Sequence, residues 1–137
     1  MAWWLLTDKN AKAAAQCLMH LMENARDPRF ANLRPGDAHD AAVSGFGMHC
    51  GIAYECCLGN RDRFELALIG STINIASRLE SATRERGIAV LSNDLVSAMG
   101  ADTMETALTA RGFQLQAPDD ILLKGIPRPL ICRTVTI

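Results

Sequence analysis

The 137-residue sequence has almost no surplus of charge: 14 Lys and Arg residues stand against 15 Asp and Glu residues, and the formal net charge is −1. A chain without a basic surplus lacks the attraction that brings proteins to nucleic acid, so we expect no nucleic-acid partner. No apolar run reaches the roughly 18 residues that a membrane-spanning helix needs, and we expect no membrane segment. Hydrophobic residues make up 49% and charged residues 21%, which predicts a single globular domain over residues 1–137.

The cysteines follow neither a disulfide nor a metal-binding pattern. There are five, an odd number, and no two of them form a C-x-x-C pair. This spacing argues against a disulfide framework and against a zinc site. Reduced thiols, and a start without a basic leader or a small-residue cleavage site, predict a cytoplasmic location.

Apolar patterning and turn residues predict the elements of the first half of the chain. The helix is expected to begin near Asp8 or Asn10, which could cap it. Glycines interrupt the second strand, and the turn at residues 59–62 joins it to the third strand as a hairpin. In chain order we predict a strand over residues 2–7, a helix over 11–25, a loop over 26–40, a strand over 42–54 and a strand over 64–69.

The second half begins with a helix from Gly70-Ser71, with Ser71 as N-cap, to Glu85, and Gly87 ends it. Ser92 or Asn93 could cap a short helix that ends at Met99. Residues 100–118 show no clear pattern. The remaining predicted elements are strands over residues 88–91, 121–123 and 130–136.

The helix that starts at Gly70 has a polar face and an apolar face. Asn74 and Arg78 are one helical turn apart and therefore share one side, which Ser81 and Glu85 extend. The apolar residues that cluster on the other side are Ile75, Ala76, Leu79 and Ala82. On spacing alone an ordinary solvated helix face is the favoured interpretation, since Asn and Arg at this spacing are common. The alternative is a helix that docks while it presents Asn74 and Arg78 to a ligand.

Three motifs in order along the chain give that helix a context. Residues 70–80 read G-S-T-I-N-I-A-S-R-L-E, residues 47–51 read G-M-H-C-G, and residues 123–125 read L-K-G. They are similar to the G-D-x-V-N-x-A-x-R-L-E, G-I-H-T-G and L-K-G motifs of class III adenylyl and guanylyl cyclases. The stretch 46–133 therefore resembles the C-terminal two-thirds of a class III nucleotidyl cyclase catalytic domain.

The resemblance implies a fold and a set of partners. The fold is α+β, a ferredoxin-like βαββαβ sheet with helices on one face, here without the domain's first strand. The implied substrate is a purine nucleoside triphosphate, converted to a 3′,5′-cyclic nucleotide and pyrophosphate in intracellular signalling. The implied partner is a second cyclase domain, in a homodimer or a heterodimer, because the family's active site lies at a dimer interface.

The resemblance also implies roles for individual residues. Asn74 corresponds to the asparagine that orients the ribose, and Arg78 to the arginine that stabilises charge on the phosphate during attack by the 3′-hydroxyl. Lys124 is similar to a lysine that contacts the triphosphate in some members, although a solvated turn lysine is an equally good interpretation. Gly70 and Ser71 open the motif, where the family usually has Gly-Asp. Ala67 occupies the position that helps to choose the purine base.

Several positions depart from the family. Its two metal-binding aspartates precede the position that matches Met1, so the Mg or Mn that the family uses would find no ligands in this chain, and Asp8 and Asp27 do not match them. Ser71 replaces the motif aspartate. Ala67 has no hydrogen-bonding side chain, which leaves the choice between ATP and GTP open. We therefore expect the chain alone to be inactive, as a fragment, a chain with a misassigned start, or a remnant.

Three functions are consistent with these residues. The chain is part of a class III cyclase; or it is a non-catalytic dimerisation or regulatory module that complements a metal-bearing partner; or it is an unrelated α+β binding module. Cyclase activity that depends on an added metal-bearing partner would distinguish the second from the others. The ordered set of three motifs favours the first two.

Overall fold

The computed structural model describes residues 11–26 and 45–137. The predicted strand at residues 2–7, the loop beyond residue 26 and the start of the predicted strand at residues 42–54 lie outside the described residues. Within the described part the fold is mixed α and β, which confirms the predicted class at that level. In chain order its elements are α1 (Ala11–Arg26), β1 (Phe46–Met48), β2 (Tyr54–Gly59), β3 (Phe64–Ile69), α2 (Ser71–Arg86), β4 (Ala89–Ser92), α3 (Asn93–Met99), α4 (Ala101–Thr109), β5 (Gln114–Leu115), β6 (Asp119–Ile121) and β7 (Leu130–Thr136).

Five of these strands form one mixed sheet. β1 pairs with β4 in parallel, with Gly47 opposite Val90, and β4 pairs with β7 in the antiparallel direction. Both β5 and β6 then pair with β7, also antiparallel. β1 and β4 can run in parallel because α2, which lies between them in the sequence, returns the chain to the end of the sheet at which β1 starts.

Helices cover both faces of this sheet, so the expectation of helices on one face is wrong. All four residues of β4 are buried, and alternate residues of a strand point to opposite faces. Ala89 and Leu91 belong to a core with residues of α1, α3 and α4. Val90 belongs to a second core with Leu79 of α2. A strand buried on both faces reads as a continuous apolar run, and the run at residues 88–91 is of that kind.

β2 and β3 form a separate two-stranded sheet, called here the hairpin. The predicted hairpin is confirmed, but its first strand is Tyr54–Gly59 and not the stretch 42–54. Of the described part of that stretch, residues 45–54, Phe46–Met48 form a strand of the main sheet, and the loop at residues 49–53 separates this strand from the hairpin. At the tip, the side-chain oxygen of Asn60 accepts hydrogen bonds from the backbone N–H groups of Asp62 and Arg63, which is the local bonding that favours Asn in turns.

Local signals predicted α2 well and did not predict α4. The structure confirms the helix over residues 71–85 and its end at Gly87, whose N–H bonds the carbonyl of Thr83. In α4 only Met104 and Leu108 are buried, too few apolar positions to reveal a helical period. Tertiary packing therefore decides this helix.

None of the helices that the structure describes has the length and apolar character needed to cross a membrane. All five cysteines lie in the described residues, and none of them is in a disulfide bond.

Candidate functional site

Asn74 and Arg78 lie side by side on the solvent-facing side of α2. Both are exposed, and neither side chain has a hydrogen-bond or ion-pair partner among residues 11–26 and 45–137. On the opposite side, Leu79 is fully buried, and Ile75 and Ala82 pack against the same core. The helix thus docks through its apolar side and exposes an amide and a guanidinium, as both interpretations of its polar face require.

A second side of α2 lies almost against the backbone of the chain around β1. A Cβ atom added to Gly47 would collide with the backbone N of Glu80 and the carbonyl of Ala76. One added to Gly45 would collide with Thr83. The absence of side chains at Gly45 and Gly47 therefore sets the distance between the helix and the strand, because glycine in a strand permits close approach.

The start of α2 differs from the prediction. Ser71 is the first helical residue and the N-cap is Gly70, which has φ 146° and offers no side-chain hydrogen bond to the helix. Few residues other than glycine adopt that conformation. The hydroxyl of Thr72 in the first turn instead donates a 2.7 Å hydrogen bond to the carbonyl of Ile52 in the loop at residues 49–53.

The other end of that loop is fastened to the sheet. His49 follows β1, Ser92 ends the parallel neighbour β4, and Nδ1 of His49 lies 2.9 Å from the Ser92 hydroxyl oxygen. Ser92 is the predicted N-cap of α3, but its hydroxyl bonds this histidine and makes no cap to the helix. Partial burial lowers the pKa of His49 from its ordinary value of 6.5, and the negative charge of Asp94 opposes that shift.

The lowered pKa of His49 predicts a loss of stability in mild acid. The unfolded chain takes up the proton of His49 at higher pH than the folded chain does. The stability that neutral His49 contributes is therefore fully present above about pH 6.5 and is lost as the pH falls towards the pKa of His49 in the folded chain. Urea unfolding at pH 7.5 and pH 5.5 should show the loss, and His49→Gln should reduce it. His20→Gln, at an exposed position of α1, should keep the wild-type difference; equal effects of the two substitutions would contradict the assignment.

The remaining predicted site residues fall into two places. Ala67 lies in β3, half-buried, and its carbonyl accepts a 3.5 Å hydrogen bond from the Cys56 thiol. Gly70 and Ser71 join this strand directly to α2, so the candidate site from Ala67 to Arg78 is one continuous segment.

Lys124 lies elsewhere along the chain, exposed in the turn before β7. Leu123 and Ile126 on either side of it pack into the same core as Ile75 of α2. The turn with Lys124 therefore lies on the face of the sheet that α2 covers, although no hydrogen bond or ion pair joins Lys124 to Asn74 or Arg78 among the described residues.

The described residues do not fit a divalent metal ion. Within residues 11–26 and 45–137, no three His, Cys, Asp or Glu side chains lie together in a way that could hold one. Mg²⁺ and Mn²⁺ prefer carboxylate oxygens, and the candidate site consists of an amide, a guanidinium and hydroxyls. We therefore assign no chemical step of these residues to a metal.

Sequence reasoning missed two features of the site. Thr72 occupies a variable position of the motif, and nothing in its neighbourhood along the chain indicates that its hydroxyl reaches residue 52. The closeness of Gly47 to α2 is the second, because a glycine inside a strand pattern does not indicate which element approaches it.

Comparison with known proteins links the chain to adenylate cyclases. No family model matches it. Over 97 residues, 71% of this chain and 14% of its relative, it is 28% identical to adenylate cyclase 1 of Rhizobium meliloti (strain 1021). The chain thus spans about one-seventh of the length of that relative. The crystal structure of the adenylyl cyclase CyaB from P. aeruginosa matches with a TM-score of 0.44 and 23% identity, over 62% of this chain and 38% of that one. The sequence similarity supports the predicted resemblance as far as an adenylate-cyclase-like stretch.

Proposed function

We propose that the chain supplies the Asn and Arg half of a class III nucleotidyl cyclase site, which converts ATP or GTP to a 3′,5′-cyclic nucleotide and pyrophosphate. The observation that carries this proposal is the exposed pair Asn74 and Arg78, on a helix that packs on the protein through its apolar side and through the side that faces β1. The sequence similarity to an adenylate cyclase supports the same assignment.

The two side chains have the chemistry for these roles. The Asn74 amide both donates and accepts hydrogen bonds, which suits a ribose with its hydroxyls and ring oxygen. The 3′-hydroxyl releases its proton to water as its oxygen bonds to the α-phosphorus, and pyrophosphate leaves with the electron pair of the broken P–O bond. During this step negative charge builds on the phosphate oxygens. The planar guanidinium of Arg78 can hold two of those oxygens. Positioning and charge stabilisation account for most catalysis of phosphoryl-type transfer.

The rest of the reaction would depend on groups from elsewhere. The metal ions that the family uses would be held by aspartates of another polypeptide, or of another part of a longer protein. The methyl group of Ala67 cannot read the edge of a purine, so other groups would choose between ATP and GTP. Lys124 would contact the triphosphate from the neighbouring turn.

The alternative is a non-catalytic module that binds a cyclase domain and regulates it. The hairpin is the observation that favours an interface. Within the described residues its apolar side chains stay exposed: Phe64 is 71% and Leu66 69% accessible. An isolated two-stranded hairpin is at best marginally stable in water, and large exposed apolar surfaces typically mark interaction sites. β3 ends at Ile69, and α2, which carries Asn74, begins two residues later at Ser71.

A complementation assay distinguishes the two functions. The purified chain is given ATP or GTP with Mn²⁺, first alone and then mixed with a cyclase domain that has its metal-binding aspartates but lacks its own Asn and Arg. Product from the mixture and not from either protein alone would support the complementing half. Binding without product, from a folded sample, would support the regulatory module and contradict the catalytic proposal.

A charge placed on the hairpin should weaken the complex. We expect Leu66→Glu to raise the dissociation constant by roughly 30-fold or more, as for a central interface residue, measured by sedimentation of the chain alone and with the partner domain. Leu122 is the matched control, because it is as exposed, at 71%, but lies outside the hairpin. Equal effects of Leu66→Glu and Leu122→Glu would contradict the assignment of the hairpin.

A further inference from the structure

The first turn of α2, which carries Asn74, is held only weakly by hydrogen bonds within the helix. Its N-cap, Gly70, provides no side-chain hydrogen bond. The bond from the Asn74 N–H to the Gly70 carbonyl is long, at 3.5 Å, where about 2.9–3.0 Å is usual. The helix backbone alone therefore holds Asn74 loosely.

The loop at residues 49–53 supplies a hydrogen bond that holds this turn in place. The Thr72 hydroxyl donates to the Ile52 carbonyl at 2.7 Å. That carbonyl also lies close to the N-cap, since a Cβ atom on Gly70 would be 3.2 Å from it. The contact of His49 with Ser92 fixes the other end of the loop to the sheet. The loop therefore links the rigid sheet edge to the start of the helix.

Gly51 makes room for this contact. A Cβ atom at this position would lie 2.6 Å from the Thr72 hydroxyl oxygen, closer than atoms of this kind approach one another. Any side chain at residue 51 would push that hydroxyl off the Ile52 carbonyl. The pairing of Gly51 with Thr72 is thus a condition for the hydrogen bond.

We infer that Thr72 is a positioning residue, whose hydroxyl holds the first turn of α2, and with it Asn74, against the loop at residues 49–53. The consequence for turnover rests on the function proposed above. Thr72 itself does not contact the nucleotide. Thr72 affects turnover by fixing the position of Asn74, and a displacement of that residue by about 1 Å can cost up to roughly 100-fold in rate.

The test compares Thr72→Val, which keeps the shape and removes the hydroxyl, with Thr72→Ser, which keeps the hydroxyl. Amide hydrogen exchange of the chain alone should be roughly fivefold faster at Asn74 in Thr72→Val, the effect of losing one hydrogen bond, and close to wild type in Thr72→Ser. Gly51→Ala should behave as Thr72→Val does. Unchanged exchange at Asn74 in Thr72→Val would overturn the inference.

The complementation assay tests the consequence separately. In the active mixture Thr72→Val should lower kcat roughly tenfold with KM changed less than about twofold, and Thr72→Ser should restore kcat. An unchanged kcat in Thr72→Val would overturn the positioning role even if exchange is faster. A wild-type mixture without activity would contradict the proposed function. It would not contradict the role of the Thr72 hydrogen bond in holding the first turn of α2, which the exchange measurement tests by itself.

Discussion

Arg78→Ala is expected to abolish the cyclase activity of the complemented mixture, by at least roughly 100-fold, which is the loss seen when one preorganised donor to a developing anion is removed. Folding should hardly change, because Arg78 is exposed and has no hydrogen-bond or ion-pair partner among the described residues. Far-ultraviolet circular dichroism and a urea unfolding curve should match the wild type within about 0.5 kcal/mol. Product formation and stability must be measured on the same sample.

The helix itself provides the matched control for this substitution. Arg84 is also exposed on α2, but it lies on a different side from Asn74 and Arg78 because of the 3.6-residue turn. Arg84→Ala removes the same charge and should leave turnover nearly unchanged. Arg78→Lys keeps the charge but loses the planar fork and should recover only part of the activity. Retained activity in Arg78→Ala would refute the role assigned to Arg78.

Gly47→Ala is expected to cause the largest loss of stability of the changes considered for this chain. The added methyl group would collide with backbone atoms of Ala76 and Glu80 in α2, and backbone atoms cannot rotate away as a side chain can. The helix would have to move off β1, which separates it from the sheet. Overpacking of this kind costs about 3 kcal/mol, measured as the free energy of unfolding in urea.

Gly125→Ala separates the steric effect of a methyl group from the loss of a glycine. Gly125 has φ 79° and no heavy atom within 4 Å of an added Cβ, so its substitution meets only the left-handed backbone, at about 1 kcal/mol. If Gly47→Ala lowers the free energy of unfolding no more than Gly125→Ala does, α2 does not approach β1 as closely as described. A large loss for Gly47→Ala would also show that the helix with Asn74 and Arg78 takes its place from this contact.

Those features of the fold that depend on neighbours along the chain could be predicted. The amphipathic period of α2 placed Asn74 and Arg78 on one exposed side and Leu79 in the core, as the structure confirms. Gly87 as the end of the helix and the hairpin turn at residues 59–62 follow from backbone preferences that act over a few residues. The motifs that connect the chain with cyclases are likewise properties of short segments. The roles of Asn74 and Arg78 as catalytic residues, and those of Lys124, Ala67, Gly70 and Ser71 as substrate-binding residues, stay predictions.

What failed are the inferences that needed contacts between distant parts of the chain. Helices on one face were expected, yet β4 is buried on both faces, between α2 and the helices α1, α3 and α4. Ser71 was expected to cap α2, but Gly70 takes that position, and the hydroxyl that fastens the first turn is that of Thr72. α4 was missed because its burial depends on a core that six other elements, α1, β1, β4, α3, β5 and β7, help to build.

The sequence by itself determined where α2 begins and ends to within a residue, which of its sides is polar, and that Asn74 and Arg78 point the same way. Tertiary structure alone decided that Thr72 bonds Ile52, 20 residues away, and that His49 bonds Ser92, 43 residues away. The physical reason is range. Helical period, capping and turn preferences act between residues a few positions apart, whereas the place of a helix against a sheet depends on which atoms the folded chain brings within 3 Å of each other.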